Sequence, residues 1–316
     1  MKVIASSILI LIAAVTVEAF QNETLEGDRT SMATSSGTDI SSEAPKWLGP
    51  EGAPLPFSKD EEILEFLRTA EVVATKEISS GSNRPLKVKL ERNGVRANAI
   101  FRTVHRKENV HQINRKTYRD FRDCYFNESA AYELSRLLGI HNVPPCVLRT
   151  INGKKGSLQL WVENAKSMTE RVEEGIVTPA NEQWTFQCQM MRVFDALIYN
   201  FDRNTGNVLI DSGERLWFID HTRSFLVTGE VENISSIYLC ERTAWEKLQA
   251  LDDELLKKHL DPYLGSSQMA ALLDRRDKLV THFQELIRTR GEQAVLFDAS
   301  GLTLASNRLR VSPTTK

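Results

Sequence analysis

Cysteine is scarce in this sequence. Its four residues are Cys124, Cys146, Cys188 and Cys240. None belongs to a C-x-x-C pair and none lies beside a histidine at ligand spacing, which argues against a zinc site. Two arrangements stay open: one or two disulfides in an oxidising compartment, or four buried thiols. An excess of either charge is lacking too. With 40 basic and 42 acidic residues, the formal net charge is −2, so no nucleic-acid partner is expected. The apolar run Val3–Val15 falls short of the roughly 20 residues that a spanning helix needs, and no later segment is both long and uncharged. No stable membrane span is expected in the mature chain.

That apolar run is the first feature present. Lys2 precedes it, and Val17-Glu18-Ala19 supplies small residues for cleavage, the pattern of a signal peptide over residues 1–19. The implied location is secreted, or periplasmic in a bacterium. Residues 20–57, rich in Ser, Thr, Gly and Pro and without periodicity, read as a disordered linker. Asn22, Asn127 and Asn233 each open an N-x-[ST] triplet. Asn127 falls in an expected helix with a buried side, so no glycan is expected there.

Residues 58–163 read as a β-rich lobe. Ser58 with Glu61 suggests a capping box ahead of the stripe Ile63, Leu64, Phe66 and Leu67. Strands follow in "ATKEI", "LKVKLERNG" and "VRANAIFRTV". A long helix is expected from about 116 to 138, ended by Gly139 and by Pro144-Pro145, and the basic cluster Arg115–Lys116, Arg119 and Arg122 reads as a solvated helix face. A second strand pair comprises "VPPCVLRTI" and "GSLQLWVEN". Residues 164–295 read as mainly helical, with helices near 182–199, 243–259 and 267–289. Residues 296–316 read as a flexible polar tail. The fold class is α+β: a two-lobed plan, its β-rich N-lobe holding one long helix and its C-lobe mainly helical, with a cleft expected between the lobes.

The chemistry concentrates in "ALIYNFDRNTGNVLIDSGERLWFIDHTRSF". Strands "VLI" and "RLWFI" pair across "DSGE", so Asn207 and Asp220 meet at one end of a hairpin, with Asp202 on the loop leading in. An amide and a carboxylate suit Mg²⁺ or Mn²⁺, and a separate carboxylate could take a proton from an attacking hydroxyl. This spacing fits the phosphoryl-transfer template. That template also seeks a glycine loop, a cation on the third strand and a helix glutamate. Gly81, Arg102 and Glu128 fill those positions, and Leu160 and Val162 lie on the connector along which an adenine ring would rest.

"FNESAAYELSRLLGIHNVPP", "ALIYNFDRNTGN" and "LWFIDHTRSF" together resemble the atypical kinases: the Golgi casein kinase-like secretory kinases, the HipA-like kinases and, distantly, the phosphatidylinositol 3- and 4-kinases. The resemblance spans about residues 72–290. It implies a protein-kinase-like fold, ATP as nucleotide with Mn²⁺ or Mg²⁺, and a protein Ser/Thr or glycan hydroxyl as acceptor. Asp202 would be the catalytic base, Asn207 and Asp220 the metal ligands, and Glu128 the residue that orders the nucleotide-contacting cation. Arg203 would steady the loop, and His221 would either contact phosphate or pack. Arg102 departs from the family pattern, which has lysine there. That departure keeps two rivals open: a nucleotide-binding pseudokinase that supports a partner kinase, and an adenylyl transferase.

Overall fold

The computed structural model describes residues 47–78, 83–113, 116–179 and 181–298. The expected signal peptide, most of the linker, Gly81 and residues 299–316 lie outside the described residues. In chain order the elements begin with α1 (Asp60–Thr69), β1 (Glu71–Glu77), β2 (Leu86–Arg92), β3 (Val95–Arg102), β4 (His105–Ile113) and β5 (Lys116–Cys124). Next come α2 (Phe126–Leu137), β6 (Cys146–Ile151), β7 (Lys154–Leu160), β8 (Ala165–Ser167), α3 (Met168–Glu173) and α4 (Glu182–Ile198). The chain continues with β9 (Val208–Asp211), β10 (Leu216–Phe218), β11 (Cys240–Glu241), α5 (Arg242–Ala250), α6 (Asp253–Leu260), α7 (Ser266–Arg290) and β12 (Leu296–Phe297).

Strand alternation builds the first core. A five-stranded antiparallel sheet runs in the order β1-β2-β3-β7-β6. Two of its turns are Asn-Gly pairs, Asn93-Gly94 and Asn152-Gly153, with φ of 52°, 76°, 50° and 76°. Such left-handed pairs match the twist of a hairpin. Val88, Leu90, Ala97, Ala99, Phe101, Leu158 and Leu160 project from one face onto Ile63, Phe66 and Leu67 of α1. A second core joins α2 to the C-terminal helices through Leu134, Phe194, Leu256, Leu272 and Phe283.

The β9–β10 hairpin lies between the two cores and serves both. Val208, Ile210, Leu216 and Phe218 enter the helical core. Leu209 and Trp217, of opposite parity, pack with the sheet core. Period-two alternation thus faces apolar side chains both ways.

Several expectations need correction. The helix expected from residue 116 starts only at Phe126, because Lys116–Cys124 is strand β5, paired antiparallel with β4 in register His105↔Cys124. Tyr118 and Phe121 both bury against Leu226 although they are three positions apart, a helix-like spacing that Asp120 between them, at φ 50°, accommodates in the strand. Lys116, Arg119 and Arg122 therefore sit on a strand. The helix expected at 243–259 is two, α5 and α6, because Asp252 caps the second by accepting the Leu255 N–H at 2.8 Å. Around α1 it is Glu62, rather than Glu61, that reaches back, accepting the Ser58 N–H at 2.7 Å.

Both outer boundaries shift as well. Trp47 and Leu55, inside the expected linker, are buried in the sheet core, and the Trp47 ring lies 4.7 Å from that of Trp217. Leu296 and Phe297, in the expected tail, are buried in β12. The Phe297 ring stacks on Phe186 at 4.1 Å. Each segment carries the large apolar residues that its neighbours lack, and these outweigh its polar composition.

All four cysteines are unpaired; Cys124, Cys146 and Cys240 are buried thiols, and Cys188 is half-buried. Burial pushes each thiol up, that of Cys188 to about 11. Among the described residues no helix is long and apolar enough to cross a membrane.

Candidate active site

Arg102 ends β3 on the face opposite the sheet core, where alternation gives it Gln159 as a neighbour. Its Nη1 donates to Gln159 Oε1 at 3.4 Å. The close approach of β7 depends on Gly156, since a Cβ there would lie 2.3 Å from the Arg102 carbonyl oxygen. Arg102 Nε lies 3.5 Å from Glu128 Oε1 and 3.7 Å from Asp220 Oδ1. Three residues from three distant segments therefore meet at one guanidinium.

Glu128, in the first turn of α2, is fully buried. Burial opposes its charge, but Arg102 and the hydrogen bonds of His221 outweigh burial and hold its carboxyl below the usual range. Glu128 Oε1 accepts the His221 backbone N–H at 2.9 Å, and Oε2 lies 3.3 Å from His221 Nδ1. The other ring nitrogen, Nε2, faces Arg203 Nη2 at 3.2 Å. Arg203 can only donate, so Nε2 is the accepting nitrogen and Nδ1 carries a proton toward Glu128. With no exposure and both nitrogens engaged, His221 packs; of the two roles open to it, phosphate contact falls away.

Asp202 follows α4 on a loop that its neighbours pin. Asn204 and Asn207 both donate side-chain N–H groups to the Asp202 carbonyl, at 2.9 and 3.1 Å. Arg203 ties the loop to the helix beneath and to the hairpin. It donates to Asp195 at 2.8 and 2.9 Å, to the Ile219 carbonyl at 2.9 Å, and to the Asn207 carbonyl. The loop-steadying role expected of Arg203 is the one it fills. Asp220 adopts φ 59°, a left-handed conformation that an aspartate tolerates better than most residues.

A further pair joins Arg223, in the motif after Asp220, to an aspartate that no local spacing points to. Arg223 donates to Asp123 Oδ2 at 2.9 Å and to Asp202 Oδ2 at 3.2 Å. Asp123, at the end of β5, is nearly fully buried and also accepts from Asn83 Nδ2 at 3.3 Å. Burial pushes the Asp202 carboxyl up. Arg223 opposes this, while Asp220 and Asp123 add to it. Gln159 was missed as well, and Leu160 is misplaced: with Val162 it belongs to the sheet core, and Gln159 shares the Arg102 side. Counting strand parity back from Arg102 was the available signal. Gly81 lies outside the described residues; Asn83, two positions on, reaches the site.

Asn207 and Asp220 offer hard oxygen donors. The Asn207 amide nitrogen is used on Asp202, and among the described residues neither Asn207 Oδ1 nor Asp220 Oδ2 has a protein hydrogen-bond partner. Among those residues no three acidic, histidine or cysteine side chains form a ready cage. That donor set fits a Mg²⁺- or Mn²⁺-type ion that takes its remaining ligands from phosphate and water.

The β-rich lobe, the helix glutamate paired with a strand cation, and the paired Asp and Asn-Asp positions on a hairpin define a protein-kinase-like fold of atypical, Fam20-like form. A hydra Fam20 structure, solved with sugar, is similar with a TM-score of 0.56 at 17% identity, covering 75% of this chain and 92% of that one. A Golgi casein kinase structure is similar with a TM-score of 0.54 at 15% identity, covering 75% and 77%. A Golgi casein kinase with Mn/ADP bound gives 0.53 at 15%, covering 75% and 78%. At these identities the likeness is one of fold. No family model and no curated protein matches the sequence.

Proposed function

We propose that the protein is a metal-dependent kinase of the secretory route that moves the γ-phosphoryl group of ATP to a hydroxyl of a protein Ser/Thr or a glycan. The observation that carries this reading is the convergence on Asp220 of Arg102, held by Glu128, beside a separate and partly exposed Asp202. In the reaction the acceptor oxygen bonds to Pγ, the bond from Pγ to the β–γ bridging oxygen breaks, and the hydroxyl proton passes to Asp202. Arg102 neutralises phosphate charge, and Arg223 orients the Asp202 carboxylate. Asn207 and Asp220 would hold the Mn²⁺ or Mg²⁺, which supplies further charge neutralisation on the phosphates when bound.

Arginine in place of lysine favours, as a second reading, a nucleotide-binding pseudokinase or an adenylyl transferase. Guanidinium and ammonium place charge differently, and Arg102 already shares Asp220. The mature chain is incubated with metal and γ- or α-labelled ATP beside Asp220→Ala. Asp220-dependent γ-label on the acceptor supports the kinase. α-Label indicates adenylyl transfer, and binding without transfer indicates a pseudokinase.

A further inference from the structure

Asn127 and Asn233 both open an N-x-[ST] triplet, and the fold treats them oppositely. Asn127 is 2% exposed, and its amide nitrogen donates to the Thr222 carbonyl at 2.7 Å and to the Ser224 carbonyl at 2.9 Å. Both amide protons hold the segment after Asp220, and no sugar fits there. Asn233-Ile234-Ser235 occupies a surface turn in which Asn233 and Ser235 are exposed. Among the described residues the Asn233 side-chain amide has no hydrogen-bond partner.

The turn is fixed. Ser236 donates to the Asn233 carbonyl through N–H at 2.9 Å and through Oγ at 2.8 Å. The preceding Glu232 accepts the Tyr199 hydroxyl at 2.5 Å and pairs with Lys116. Ile234 and Val231 help to line an adjacent cavity of about 540 Å³. The rest of that lining is polar or charged, with Glu230, Asp277, Lys278, Thr281, His282 and Glu285, so the surface beside Asn233 is open and hydrated, with room for a bulky, solubilising group.

We propose that Asn233 carries an N-linked glycan. This rests on the secretory reading of the N-terminus and is independent of the kinase chemistry. The donor class is an oligosaccharide linked to a polyisoprenyl diphosphate. A bond forms between Asn233 Nδ2 and sugar C1, and the bond from C1 to the diphosphate oxygen breaks. The lipid diphosphate leaves with the electron pair, and one amide proton passes to a base. Ser235 supplies the hydroxyl that the triplet requires.

Asn233 has φ 52°, and asparagine tolerates that conformation well. Two variants therefore separate backbone from modification. Ser235→Ala removes the triplet and leaves Asn233 in place; Asn233→Gly keeps the left-handed turn. The full chain is expressed in a eukaryotic secretory culture and mapped by peptide mass before and after enzymatic deglycosylation. The expected result is a glycan on the Asn233 peptide, none on the Asn127 peptide, and loss of the former in both variants. An unmodified Asn233 in the exported chain, or a mass unchanged by Ser235→Ala, overturns the site. If the chain's own leader fails to export it, a fusion to an unrelated leader is mapped in the same way. A glycan at Asn233 of the fusion supports the site and places the failure in the leader; a bare Asn233 overturns it. Neither result alters the outcome expected for phosphoryl transfer.

Discussion

One oxygen of Glu128 serves two partners: Oε1 accepts the His221 backbone N–H at 2.9 Å and lies 3.5 Å from Arg102 Nε. A single carboxylate on α2 thus fixes both the strand cation and the loop that carries Asp220. The Arg102 contact joins β3 to α2 and the His221 contact crosses to the C-terminal lobe, so loss of the carboxylate loosens the site and the fold together.

Glu128→Ala leaves a buried N–H unpaired and a buried guanidinium with only Asp220 and Gln159, and is expected to cost about 3–5 kcal/mol. Glu128→Gln keeps an acceptor for His221 and should cost less. Urea unfolding of both variants measures this. Equal losses would assign the whole effect to the charge.

Arg102 tests the same contact from the other side. Arg102→Met strands the Glu128 charge and should destabilise by about 3–5 kcal/mol while abolishing transfer. Arg102→Lys keeps the charge in a more compact form and should retain metal-dependent nucleotide binding. Calorimetric titration with the nucleotide reads this. Loss of binding in the lysine variant would show that the planar fork is required.

Glu128 and Asp202, the perturbed carboxylates of the site, respond to pH in opposite senses. Glu128 is lowered on folding. Its contribution to stability is present above the ordinary glutamate range and is lost as pH falls through the depressed folded value. Asp202 is raised, first by burial, so its ionisation costs stability as pH rises through the unfolded value. As a base it acts only above the raised folded value, which sets the acid limb of transfer above the ordinary aspartate range. Arg223 lowers Asp202, so Arg223→Gln should move that limb further up. A pH–rate profile that does not move would remove Arg223 from the tuning of Asp202.

Residues 47–57 belong to the folded unit. Trp47→Ala should cost about 3–5 kcal/mol, as expected for truncation of a buried tryptophan. A chain beginning at residue 58 should melt lower and bind hydrophobic dye. A truncated chain as stable as the parent would return this segment to the linker.

Trp47 also marks where the reading of the sequence stopped. Its stretch looks like linker because Ser, Thr, Gly and Pro surround it, and only the partner ring of Trp217 in β10 gives it a place to bury. The two lobes, the β9–β10 hairpin, and the positions Asp202, Asn207 and Asp220 on and around it were legible, since that spacing is local and the hairpin's apolar runs are short. Lys116–Cys124 was not. Its basic residues suit a solvated helix as well as a strand, and strand preference is settled by what lies across from it. Pairing with β4 decides the matter.

The sequence by itself determined the alternation of the hairpin strands and the chain order of the site's carboxylates, because each depends on neighbours a few residues away. Only the tertiary structure decided that Glu128 grips His221 across 93 positions and that Arg223 bridges Asp202 to an aspartate 100 positions upstream. Contacts at such separations arise when the two cores close on the hairpin between them. They are fixed by packing, which local periodicity does not encode.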